Sequence, residues 1–189
     1  MAVNPFKALR FRKLATKRWY RLSTGEYHAL HEVVPTLREK VAYALFYTAG
    51  LRLHEAYALT WDCVDFENGV VMINNREGTE DLPEFSIKDH EKRRIPLPAH
   101  TMDLLAPLHA EASENVPSIL LSKESYERVK KKWRKVCEEG KPRKNRYLVN
   151  NVLRNFKMYC KRAGIKPVGK LTVHTLRKTP GRIGRTTCP

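Results

Sequence analysis

No apolar run in the sequence approaches the ~18–20 residues that cross a bilayer, and the first residues lack the apolar stretch of an export signal. Membrane spanning and secretion therefore have no support, and an intracellular location is expected. Cysteine is scarce. Cys63, Cys137, Cys160 and Cys188 stand far apart with no C-x-x-C pair, which argues against both a structural zinc site and a disulfide framework and predicts free, mostly buried thiols. There is no internal repeat and no low-complexity segment. Acidic residues are missing altogether from residues 1–22, which hold 7 basic ones.

What is present fits a globular chain. At 189 residues, 42% hydrophobic and 30% charged, it can bury one core of ordinary size, and disorder throughout is excluded. Its net charge of +16 predicts a polyanionic partner, with nucleic acid first. The charge is also segregated: residues 51–120 carry 6 basic and 13 acidic residues, whereas residues 121–170 carry 17 and 4. An evenly basic coat is thus ruled out, and the run Lys130, Lys131, Lys132, Arg134 and Lys135 is the candidate DNA-binding face.

Ser23 with Glu26 and Thr36 with Glu39 are capping-box pairs that place helix starts near 24 and 37. The second helix is apolar over most of its circumference, so it should be central and buried, and Gly50 should end it. A short helix near 53–59 follows. Three runs with strand character, 69–74, 84–88 and 93–97, predict a small antiparallel sheet, and the helical period returns near 99–112, 122–138 and 146–163. The expected fold is mainly α with a small three-stranded antiparallel sheet.

Two segments carry chemistry. Arg52 follows a helix-ending glycine and has Glu55 three residues on; a carboxylate that holds an arginine orients its planar fork, which can grip two phosphate oxygens at once. A surface ion pair is the bland alternative. His174 and Arg177 are also three apart, at an expected helix start with Thr172 or Thr175 available to cap.

The pattern Gly50-Leu51-Arg52, Glu55, Leu59, Trp61, followed by Asp62 and Asp65, resembles the first box of the tyrosine recombinases, or phage-type integrases, and His174-x-x-Arg177 resembles the start of their second box. Between them Ile87 to Leu97 is similar to the family's β-hairpin, whose lysine enters the active site; Lys88 is the best match and Lys92 the competitor. The resemblance covers roughly residues 22–179. It implies cleavage and rejoining of double-stranded DNA without metal or cofactor, through a 3′-phosphotyrosyl link. It further implies that Arg52 and Arg177 neutralise the reacting phosphate, Lys88 protonates the leaving 5′-oxygen, and His174 assists proton transfer or holds the phosphate. Glu55 supports Arg52.

After Arg177 the sequence departs from the family. Pro180 and Gly181 oppose helix continuation, and all eight tyrosines (Tyr20, Tyr27, Tyr43, Tyr47, Tyr57, Tyr126, Tyr147, Tyr159) precede His174, so none occupies the nucleophile's place. The expected organisation is a basic arm at 1–22, a truncated catalytic domain at 23–179 and a non-family tail at 180–189. A chain of this kind should bind DNA, nucleoid-associated in the cytoplasm, without cleaving it. The alternatives are a regulatory DNA-binding module acting beside an intact recombinase relative, a non-functional gene remnant, and a generic basic nucleic-acid binder.

Overall fold

The computed structural model describes residues 20–87, 91–140 and 151–177. Its elements in chain order are helices α1 (Thr24–Val33), α2 (Leu37–Thr48) and α3 (Leu53–Ala58), strands β1 (Val64–Asp65), β2 (Val70–Ile73) and β3 (Arg93–Pro96), then α4 (Ala99–Ala110), α5 (Lys123–Glu138), α6 (Val152–Arg162) and α7 (Val173–Arg177). A mainly helical body with one small three-stranded antiparallel sheet is what the sequence predicts; the observed strand order is β1-β2-β3.

Local chemistry explains most boundaries. At α1 the Ser23 hydroxyl accepts from the Glu26 N–H at 3.2 Å while the Glu26 carboxylate accepts from the Ser23 N–H at 2.7 Å, a complete capping box. Thr36 caps α2 through the Glu39 N–H, but the Glu39 carboxylate turns to the Thr36 hydroxyl and to α6. Gly50 takes φ +62° just beyond α2, the left-handed conformation that closes a helix at little steric cost.

Helix α2 is the hub. Every residue from Val41 to Thr48 is buried, and α3, α4 and α7 all pack against it. Glu39 joins it to α6 by accepting hydrogen bonds from the Tyr159 hydroxyl (2.9 Å) and the Asn155 amide (3.1 Å). Arg38 ties in the chain before α5 by donating to the carbonyls of Ile119 (2.8 Å) and Leu121 (2.9 Å).

The sheet differs from the expectation in one strand. Residues 84–88 were expected to pair as a strand; residues 84–87 instead make a single bridge, Phe85 to Arg76. Pro83 removes a donor just before it, and the Ile87 N–H is taken by the Asn75 side chain at 2.8 Å, so the ladder cannot extend. The third strand is β1, whose two residues pair with Val70 and Val71. The thiols also differ: Cys160 is buried, but Cys63 is half-buried and Cys137 exposed, because Cys137 lies outside the apolar stripe of α5 formed by Tyr126, Val129, Trp133 and Val136. Cys188 lies outside the described residues. Among the described residues no helix is long and apolar enough to cross a membrane.

Candidate active site

Arg52 stands at the N-cap of α3 with extended backbone (φ −73°, ψ 153°). Its backbone N–H donates to Glu55 Oε2 at 2.7 Å and its Nη1 to Glu55 Oε1 at 2.9 Å. Three residues of spacing therefore produce a pair that serves helix capping and arginine orientation together. Glu55 is only 2% exposed. Burial alone pushes its carboxyl upward, but the hydrogen bonds from Arg52, with the charges of Arg93 and Arg52, outweigh that and hold it below the usual carboxylate range.

A third member completes the group. Arg93, the first residue of β3, places Nη2 2.5 Å from Glu55 Oε1. In the sequence alone, Arg93 stands out only as the first residue of a strand. A signal for it existed in the two-residue alternation: Arg93 shares its side of β3 with the half-buried Ile95, while Arg94 and Pro96 are exposed. A basic residue on the inner side of a strand calls for a buried partner. Arg76 was missed as well. It donates from Nη1 to the Ala58 carbonyl at 2.6 Å, placing a cation at the C-terminal end of α3.

His174 and Arg177 lie on α7, whose Val173, Thr175 and Leu176 are buried. The Thr172 N–H donates to the Thr175 hydroxyl at 3.0 Å, which fixes the helix start. His174 is exposed and Arg177 half-buried. The two arginine boxes share α2: its C-terminal end leads through Gly50 to Arg52, and α7 packs against it. Lys88 lies outside the described residues. Lys92, the competing lysine, is exposed beside β3.

The basic helix α5 presents its candidates unequally. Lys130 and Arg134, one turn apart, both reach Asp81, at 2.9 and 2.8 Å, and Lys135 lies 3.7 Å from Glu139. Lys131 and Lys132 are exposed. The opposite side of α5 is anchored by Trp133, whose Nε1 donates to the Thr79 carbonyl at 2.7 Å. Thr79 and Asp81 thus strap the chain between β2 and β3 to this helix.

Of the seven described tyrosines, six have hydroxyls pushed above the ordinary range. A hydrogen bond to Glu26, then burial, raises Tyr20 to about 12; burial, then Glu39, raises Tyr159 to about 12; burial is the leading cause for Tyr27, Tyr43, Tyr57 and Tyr126. Tyr47 is buried and stacked on Tyr27. Such environments disfavour the phenolate that a nucleophile needs. Among the described residues no cluster of metal-ligating side chains exists.

Against known proteins, the model of the phage integrase family matches residues 21–183. The tyrosine recombinase XerC of Xanthomonas campestris pv. campestris (strain B100) is 37% identical over 87 residues, 43% of this chain and 27% of the relative. The crystal structure of XerA recombinase superposes with a TM-score of 0.58 at 17% identity, covering 87% of this chain and 49% of that one. The Tn1549 transposon integrase, solved with a circular intermediate DNA, gives 0.60 at 15% identity, covering 87% and 52%. The chain thus spans about half the length of the solved proteins it resembles.

Proposed function

The chain belongs to the phage integrase family, and from that premise we propose that residues 23–179 form a recombinase-type catalytic domain that grips duplex DNA through a phosphate site. Arg52 and Arg177 hold non-bridging oxygens of one backbone phosphate, with His174 and Lys88 assisting. No metal or cofactor takes part. The observation that carries this reading is the clamp on Arg52: a buried, ionised Glu55 with two arginines on it is an expensive arrangement unless an oriented guanidinium is needed. The relative solved with DNA and the +13 excess over residues 121–170 support duplex DNA as the ligand. The basic arm at 1–22 adds backbone contacts.

The 189-residue polypeptide holds DNA without cutting it. All its tyrosines precede His174, and the described ones have buried or carboxylate-bound hydroxyls. As a DNA binder it is nucleoid-associated and competes for, or pairs on, the sites of an intact recombinase relative.

The test pairs two assays. On a nicked suicide duplex the polypeptide should leave no covalent adduct. In a gel-shift titration it should bind with a steep loss of affinity as salt rises, and Arg52→Ala should weaken binding severalfold. A phosphotyrosyl adduct overturns the inactive reading, and salt-independent or absent binding overturns the DNA reading.

A further inference from the structure

Helix α3 has six residues, well below the ~12–15 that an isolated helix needs to persist in water. Glu55 can fix the direction of Arg52 only if the helix that carries it is held from outside. The sheet side holds it at both ends: Arg76 takes the Ala58 carbonyl at the C-terminal end, and Arg93 takes Glu55 Oε1 at the N-terminal end.

The second contact carries more than packing. Glu55 Oε1 is shared between Arg52 Nη1 at 2.9 Å and Arg93 Nη2 at 2.5 Å, while Oε2 accepts the Arg52 N–H. The Glu55 side chain is 3% exposed, whereas the two arginine side chains keep 25% and 26% exposure. The Nε of Arg93 is buried with no hydrogen-bond partner among the described residues. An unpaired buried donor is a cost, and a contact serving only to attach β3 could avoid it with an apolar side chain. Nε burial also means that this edge of the guanidinium is not offered to a ligand. The arrangement is that of a cation spent on the carboxylate behind Arg52.

We propose that Arg93 is a positioning residue for Arg52: its ion pair with Glu55 Oε1 holds the Glu55 carboxylate in place, and Glu55 in turn sets the plane of the Arg52 guanidinium. The proposal deepens the reading of Arg52 as a phosphate ligand and rests on it for its functional consequence. It makes the register of β3, in which Arg93 pairs with Ile73, part of the phosphate site. A strand slip of one residue would turn Arg93 to the other face and release Arg52.

Two measurements on the full chain test it. By NMR, the Arg52 Nε–Hε group should be restrained in the wild type, mobile in Arg93→Gln, and restrained again in Arg93→Lys, which restores the charge. In duplex DNA titrations Arg93→Gln should weaken binding by about three- to tenfold, at the lower end of what coupled neighbours show, and Arg93→Lys should recover most of it. In an Arg52→Ala background Arg93→Gln should have almost no further effect. Arg52 equally restrained in wild type and Arg93→Gln overturns the proposal, as does a full loss from Arg93→Gln in the Arg52→Ala background, which would mean that Arg93 meets DNA itself. If Arg93→Gln does not fold, Arg52 restrained in Arg93→Lys and mobile in Glu55→Gln supports the proposal, and any other combination overturns it. Failure of the wild type to bind duplex DNA would sink the functional reading alone, because the NMR arm still decides whether Arg93 sets Arg52.

Discussion

Two carboxylates in this molecule each sit between two basic side chains. Glu55 lies between Arg52 and Arg93, and Asp81 between Lys130 and Arg134. The distances are alike, yet the Glu55 side chain is 3% exposed and the Asp81 side chain 40%. Water screens the Asp81 group, and both of its cations remain exchangeable with other anions. The Glu55 group has lost its water, so each member depends on the others and removal of one leaves uncompensated charge. The same three-charge pattern thus acts as a fixed support in one place and as a replaceable surface contact in the other.

The largest expected effect is on the buried group. Glu55→Ala should cost roughly 3–5 kcal/mol of folding stability, the usual penalty for breaking a buried charge pair, measured by denaturant unfolding; a loss below about 1 kcal/mol would make the two groups equivalent. The next effect is its pH dependence. Because the folded pKa of Glu55 is lowered, the group's contribution is fully present above the unfolded carboxylate value of ~4.3 and is lost as pH falls below that through the folded value. Glu55→Gln should therefore flatten the acid limb of a stability profile, an effect that persists in high salt. For Asp81, also lowered, first by its hydrogen bond with Lys130, the corresponding change in Asp81→Asn should fade with added salt.

Smaller effects concern DNA. Lys131→Gln with Lys132→Gln should reduce the slope of log affinity against log salt by about 2, since each phosphate contact contributes ~0.9; an unchanged slope removes this part of α5 from the interface. The smallest change has the opposite sign. Asp81→Asn should raise DNA affinity about twofold at low salt, as Lys130 and Arg134 are released to phosphates, with little change in melting temperature.

Short-range chemistry made much of this legible beforehand. Ser23 with Glu26, and Gly50 at φ +62°, mark helix ends because caps depend on residues three or four apart, and the Arg52–Glu55 pair is readable for the same reason. Arg93 and Asp81 were not. Their partners lie 38 and 53 residues away, and no periodicity within either segment specifies which distant carboxylate or cation it meets. The strand expected at 84–88 failed for a related reason: its residues have strand character, but whether a neighbour's edge is free to pair is a property of the sheet.

The all-round burial of α2 has a consequence for how the chain is made. Its apolar residues, Val41 to Ala49, emerge early, yet α7, one of the helices that covers it, begins only at Val173. At ~5–20 residues per second of synthesis, α2 waits on the order of ten seconds for that cover. During that interval the helix leading to Arg52 displays its hydrophobic circumference to other nascent chains and to chaperones, so the element that unites the two arginine boxes in the finished protein is also where aggregation during translation would begin.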